Sequence, residues 1–333
     1  MLKQIATILA ATAIATPAFA EVNIYSSREP QLINPILEAF TAETGIKTNI
    51  VFIKDGLIER LKAEGRRSPA DLVLTTDISN LNAVVEAGVT QAVTSDVINA
   101  NIPATFRDPD GNWFGLTSRA RVIYASVDRV AEGEVTTYED LTDPKWEGRI
   151  CTRSGSHNYN IGLLSAVVAH HGEEAAEEWL TGLKANLARK PQGNDRAQIK
   201  AIWAGVCDIA IGNTYYMGAM LQNEEQQAWA DSVTIQFPIL GDSGVHVNLS
   251  GMAMTKSSNN EEDTVRLMEF LTSEAAQSMY AELNFEYPLL ESAQPSDLVQ
   301  SWGDFVPDAM PLVDIAKLRP TALKIVDRVN FNE

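Results

Sequence analysis

Three tyrosines offer the clearest chemistry in this sequence. Tyr215-Tyr216 follows the run Cys207-Asp208-Ile209-Ala210-Ile211-Gly212-Asn213-Thr214. There Ile209 and Ile211 read as a buried strand, and Gly212-Asn213-Thr214 as a turn opening a helix through Met220 and Leu221. Tyr159 follows Arg153-Ser154-Gly155-Ser156-His157-Asn158, a polar loop between a strand over 149–152 and a helix carrying Leu163, Leu164, Val167 and Val168. Paired tyrosines commonly pack in a core. A strand-to-helix junction argues otherwise, because in open α/β sheets the carboxyl ends of strands face a crevice and helix N-termini present free N–H donors. A phenolate is a hard anionic donor suited to a small trivalent cation such as Fe(III). Phenol ionises near pH 10, so only a strongly charged metal deprotonates several of them at neutral pH, which excludes magnesium and calcium. Copper or zinc would draw on His or Cys, and His157, His170, His171 and His246 show no ligand spacing on a helix.

The elements that must position these residues alternate as βαβαβα from residue 22 onward. Strands are expected over 22–26, 47–53 and 71–75, each followed by a helical pattern, which implies a mainly parallel sheet with helices on both faces. Asp108-Pro109-Asp110-Gly111-Asn112 breaks the alternation. Its Gly stands one place early for a calcium loop and Arg119 occupies the position of the closing Glu, so it reads as a hairpin turn. A long strand over 121–127 then carries the chain into a second lobe. The two tyrosine junctions in that lobe would converge on one cleft wall. A strand over 232–238 is expected to return the chain to the first lobe, which adds a strand over 245–255 and helices over 261–271 and 274–283. The expected partition is residues 21–118 with 242–296 in lobe 1, and 119–241 with 297–333 in lobe 2.

The first twenty residues, with Lys3, an apolar run from Ile5 to Ile14 and Ala18-Phe19-Ala20, read as a secretory signal peptide cut after Ala20. The expected compartment is therefore the periplasm. The rest, about 313 residues, exceeds one ordinary core and favours two lobes. A formal net charge of −18 disfavours nucleic acid and anionic membranes, since the longest basic run is Ser118-Arg119-Ala120-Arg121. No later apolar run suffices to span a membrane. Cys151 and Cys207, in an oxidising compartment, read as a disulfide between neighbouring strands or as two buried free thiols. There is no Gly-x-Ser-x-Gly, His-Glu-x-x-His or Walker-type loop, so an enzyme is not expected. A secreted hydrolase would have to depend on paired carboxylates that a sequence does not reveal.

The chain resembles the periplasmic ferric-iron-binding proteins of ABC importers, in the branch with several tyrosine ligands. The resemblance rests on Val22-Asn23-Ile24-Tyr25-Ser26-Ser27-Arg28, on Ser118-Arg119-Ala120-Arg121-Val122-Ile123-Tyr124, on Asp143-Pro144-Lys145-Trp146 and on Gly212-Asn213-Thr214-Tyr215-Tyr216. It implies the two-lobed periplasmic-binding-protein fold of type II, with two hinge strands, near 118–127 and 232–238. It further implies Fe(III) coordination by Tyr159, Tyr215 and Tyr216, delivery to a membrane permease and its ATPase, and a monomer closing around a small ion.

The sequence departs from that family after its first strand, where Ser27-Arg28-Glu29-Pro30 replaces the usual His or Tyr ligands. Glu29 could supply a carboxylate or could be an ordinary first-turn acid. Three phenolates balance Fe(III), so a further anion such as carbonate or phosphate needs cationic company. Arg121, Arg119 or Arg28 could supply it, with Ser154, Gly155, Ser156 and Asn213 donating hydrogen bonds. Alternatively each arginine pairs with an acid, and the same fold could bind an organic anion such as a sugar phosphate without metal.

Overall fold

The computed structural model describes residues 21–333, so the leader assigned to residues 1–20 lies outside the described residues. Among the described residues nine strands run in chain order: β1 Glu21–Ser26, β2 Lys47–Phe52, β3 Leu72–Thr75, β4 Phe114–Ser126, β5 Ile150–Cys151, β6 Ile209–Asn213, β7 Val233–Gln236, β8 Val247–Met254 and β9 Tyr287–Pro288. They form one continuous path, β2-β1-β3-β8-β4-β6-β5, with β7 and β9 also paired to β4. The parallel pairs are β1 with β2, β1 with β3, and β5 with β6. All pairings made by β4 and β8 are antiparallel. The parallel units expected from βαβ alternation are thus present, and two crossing strands convert the whole into a mixed sheet.

Those crossing strands join the two α/β halves. β4 is 13 residues long and buried throughout. Its first part pairs with β8 from Phe114↔Met252 to Ala120↔Val247, and its second with β6 from Arg121↔Asn213 to Ala125↔Ile209. Here the structure corrects an expectation: β7 does not return the chain to the first half. It pairs with Ile123 to Ser126 at the far end of β4, and β8 makes the return. The pattern of alternation identifies a strand but not its partner. The turn Gly241-Asp242-Ser243-Gly244, with Gly241 and Gly244 at positive φ, reverses the chain between them.

Each half has its own apolar core, as a chain of this length requires. Ile24, Ile36, Phe40, Leu72, Met252 and Leu267 pack in the first. Val122, Tyr124, Ile199, Ile202, Ala210 and Met220 pack in the second. Cys151 and Cys207 form a disulfide beside the parallel β5–β6 pair, which resolves the choice left open by the sequence. Among the described residues no helix is long and apolar enough to cross a membrane.

Candidate metal site between the two halves

β5 and β6 are parallel neighbours, so the helices that follow them start side by side. The helix Asn158–His171 begins after the polar loop, and His157 Nδ1 accepts a hydrogen bond from the Tyr159 amide to cap it. The helix Tyr215–Leu221 begins after Thr214, whose amide is held by the Ala120 carbonyl, and carries no side-chain cap. Tyr159 is therefore the second residue of one helix, while Tyr215 and Tyr216 are the first two of the other. The hydroxyl oxygens of Tyr159 and Tyr215 lie 3.1 Å apart, and the rings of Tyr215 and Tyr216 have centroids 4.3 Å apart. All three rings are only part-buried, so a solute can reach them.

Four arginines surround this group. Arg119, Arg121 and Arg153 have their guanidinium carbons 5.9, 5.8 and 5.0 Å from the Tyr159 ring centroid. Arg28 comes from the end of β1. Two carboxylates answer the four cations: Asp195 pairs with Arg121 at 2.8 Å and Arg153 at 2.9 Å, while Glu286 pairs with Arg28 at 2.8 Å and more distantly with Arg119 at 3.9 Å. The surroundings of the phenols keep a cationic excess. Arg119 Nε and Nη2, Arg121 Nε, Arg153 Nε and Asn213 Nδ2 are buried without hydrogen-bond partners. Buried donors of this kind are costly unless something accepts from them.

Burial pushes the Tyr215 phenol well above its ordinary value, and its phenolic neighbours add to this, while Arg119 opposes it. Tyr216 is pushed up to about 12, first by burial and then by Tyr159. His157 is held down to about 4 by burial and by Arg153 and Arg121, so at neutral pH its Nδ1 is free to accept the capping bond. Metal-free Tyr215 and Tyr216 are therefore protonated at neutral pH, and only a strong Lewis acid would ionise both.

Glu29 is exposed and accepts a hydrogen bond from Gln31, with nothing in the structure drawing it to the phenols. Arg28 is buried against Glu286. What the first half turns towards the site is thus charge. The turn Ser154-Gly155-Ser156 is also engaged elsewhere: Ser154 Oγ and the Gly155 amide donate to Asn332 Oδ1, and Asn332 Nδ2 donates to Ser156 Oγ. Arg121 and Asn213 bond to each other, Arg121 Nη1 donating to Asn213 Oδ1 at 3.0 Å. Asp77 caps the helix Ile78–Glu86. A cavity of about 220 Å³ lined by Ser27, Lys54, Thr75 and Asn80 of the first half reaches Asn158 of the second, the residue before Tyr159. The larger surface hollow, about 640 Å³ along Glu173, Glu177 and Arg328, contains no phenol. Among the described residues no three His, Cys, Asp or Glu side chains gather as a metal site.

Asp195, Glu286 and Arg153 were not singled out from sequence. Asp195 looks like any first-turn acid, and its meaning lies in partners 42 and 74 residues away.

Two α/β halves bridged by long strands, with donor side chains at the helix starts between them, define a solute-binding protein of the two-lobed type. Residues 67–304 match the model of the bacterial extracellular solute-binding protein family, and the chain belongs to that family. It is 43% identical to iron uptake protein A1 of Synechocystis, over 93% of this chain and 87% of that protein. The solved apo ferric ion-binding protein A of Pasteurella haemolytica superposes with a TM-score of 0.89 at 51% identity, covering 94% of this chain and 98% of that one. A Trichodesmium protein solved in complex with iron and citrate ligands gives a TM-score of 0.90 at 40% identity, covering 94% of this chain and 100% of its own.

Proposed function

We propose that this protein is the periplasmic solute-binding component of a ferric-iron ABC importer. On this reading it takes Fe(III) between its lobes through Tyr159, Tyr215 and Tyr216 and delivers it, as a monomer, to a membrane permease and its ATPase. The observation that carries the reading is the approach of the Tyr159 and Tyr215 hydroxyls to 3.1 Å from separate helix starts. As neutral groups the two phenols share one hydrogen bond, whereas one trivalent cation can bind both oxygens at once. The relatives named above bind iron by their printed descriptions, which supports the same assignment.

Three phenolates neutralise Fe(III), and a small anion completes its coordination. The unpartnered guanidinium nitrogens of Arg119, Arg121 and Arg153 and the side-chain Nδ2 of Asn213 support this, since they are donors waiting for an acceptor. Carbonate, phosphate or a carboxylate arm of citrate fits that chemistry. Ser154 Oγ and the Gly155 amide already donate to Asn332, and the Ser156 amide donates to Ser154 Oγ, so these donors are engaged within lobe 2. Lobe 1 is taken as residues 21–118 with 242–296, and lobe 2 as the remainder of the described chain. Contacts from both lobes in the loaded state favour closure by their differential affinity.

Titration of chelator-stripped protein with ferric citrate, followed in the visible range, tests the reading. A phenolate-to-iron charge-transfer band that saturates at one equivalent is expected. Tight binding of a sugar phosphate with no ferric band would favour the metal-free anion reading instead.

A further inference from the structure

We propose that Asp195 is a positioning residue for the metal site: its carboxylate fixes two guanidiniums beside Tyr159 and holds the strand end that presents Tyr215. This rests on the ferric reading above. Asp195, the first residue of the helix Asp195–Trp203, is fully buried. Its Oδ2 accepts from Arg121 Nη1 at 2.8 Å and from the Asn213 amide at 3.0 Å, and its Oδ1 accepts from Arg153 Nη1 at 2.9 Å. One carboxylate thereby joins β4 to the loop after β5 and the end of β6, the two segments that lead into the helices carrying the three phenols.

The charges determine what that junction does. Arg121 and Arg153 stand 5.8 and 5.0 Å from the Tyr159 ring, and two cations so close repel each other unless an anion lies between them. With Asp195 present the trio keeps one net positive charge against the ring. A fixed cation there stabilises the phenolate oxygen that the metal requires and retains a donor for a companion anion. Arg121 Nη2 also donates to Asn160 Oδ1, and Asn160 Nδ2 donates to Thr152 and Arg153, so the guanidinium geometry is set on several sides. Asp195 itself need not touch the metal.

The test compares Asp195→Asn, Asp195→Glu and Arg153→Gln, each checked for fold by circular dichroism and loaded with ferric citrate. Asp195→Asn is expected to weaken iron retention against a competing chelator by roughly 10- to 100-fold and to move the charge-transfer band, while Asp195→Glu restores part of both. Arg153→Gln, which leaves the Asp195–Arg121 pair in place, is expected to move the band to longer wavelength, because losing a nearby cation raises the energy of the donating phenolate electrons. A folded Asp195→Asn protein with the parental band and retention would overturn the proposal. If that variant does not fold, Arg153→Gln decides, and an unmoved band there overturns it equally. Absence of any band in the parent protein would instead count against the ferric reading itself.

Discussion

The hydroxyl oxygens of Tyr159 and Tyr215, 56 residues apart in sequence, are 3.1 Å apart in space. Their approach follows from β5 and β6 being parallel neighbours whose following helices begin at the same edge of the sheet. Tyr216 follows Tyr215 directly in the chain, its ring tilted by 31° against that of Tyr215. If the cluster binds a trivalent metal, its members act as a unit. Tyr215→Phe with Tyr216→Phe should abolish the visible charge-transfer band and tight iron binding, while Tyr159→Phe should retain a weakened, shifted band. The visible spectrum during ferric citrate titration checks this, and an unchanged double variant would remove the phenols from the mechanism.

Proton release is the second consequence. Tyr215 and Tyr216 are held protonated by burial, the latter up to about 12, so coordination must expel a proton from each phenol it ionises. Iron affinity should therefore rise with pH, and loading in weak buffer should acidify the solution. The metal-free fold obeys the opposite trend at alkaline pH. Tyr124, Tyr138, Tyr215, Tyr216, Tyr280 and Tyr287 all have raised values, burial being the largest cause in each. Unfolded chains ionise these groups near pH 10, so the stabilisation is present below that pH and lost above it. Iron-loaded protein, with its ligand phenols already ionised, should lose less. Urea midpoints with and without iron on either side of about pH 10 make the comparison.

Acid acts through His246, fully enclosed at the start of β8, with Nδ1 unpartnered and its carbonyl accepting from the Arg121 amide. Burial, helped by Arg121, His170 and Arg119 and opposed by Asp308, holds it down to about 4. The unfolded chain takes up this proton near pH 6.5 and the folded one does not, so stability is full above that value and falls towards about 4. Replacing His246 by Gln should flatten the decline between about pH 6.5 and 4.5, measured by urea denaturation.

Local pattern made the tyrosine junctions legible. A β-branched run, a Gly-Asn-Thr turn and an apolar helical face lie within fifteen residues of one another, and each constrains the chain by itself. β6 and the helix Tyr215–Leu221 fall where that pattern puts them. The arginine partners were not legible, because Glu286 meets Arg28 across 258 residues and no spacing rule links them. β7 was misassigned for the same reason, since its pairing with β4 is a matter of tertiary register. Glu29 reads from sequence as a carboxylate donor or a first-turn acid, and in the structure it is exposed and accepts from Gln31.

The disulfide closes a loop of 56 residues beside the tyrosine junctions without supplying a donor. Cross-linking at that separation restricts the unfolded chain by roughly 4 kcal/mol in the loop-entropy account. Cys151→Ala with Cys207→Ala should therefore lower the melting temperature clearly yet leave the charge-transfer band in place below the transition. Loss of the band in a still-folded variant would mean that the bridge also holds the metal geometry.

Gly218 links the phenols to the arginine set through one close packing contact. It lies in the helix that starts with Tyr215 and Tyr216, and a Cβ there would stand 2.3 Å from the Phe285 ring. Phe285 adopts φ 56° at the end of the helix Glu274–Asn284, is nearly fully buried, and precedes Glu286, the partner of Arg28 and Arg119. Gly218→Ala must displace either the tyrosine helix or the backbone carrying Glu286, at a cost of about 1–3 kcal/mol. Both routes disturb the charge around the phenols, so the band should shift as well as the melting temperature. Adding Phe285→Ala removes Cγ, Cδ1 and Cδ2, the atoms nearest the new methyl. The pair should recover the parental spectrum though not the parental stability, and a double-mutant cycle should show coupling well above the few tenths of a kcal/mol expected of independent sites. Strict additivity would show that the tyrosine helix does not depend on Phe285 for its position.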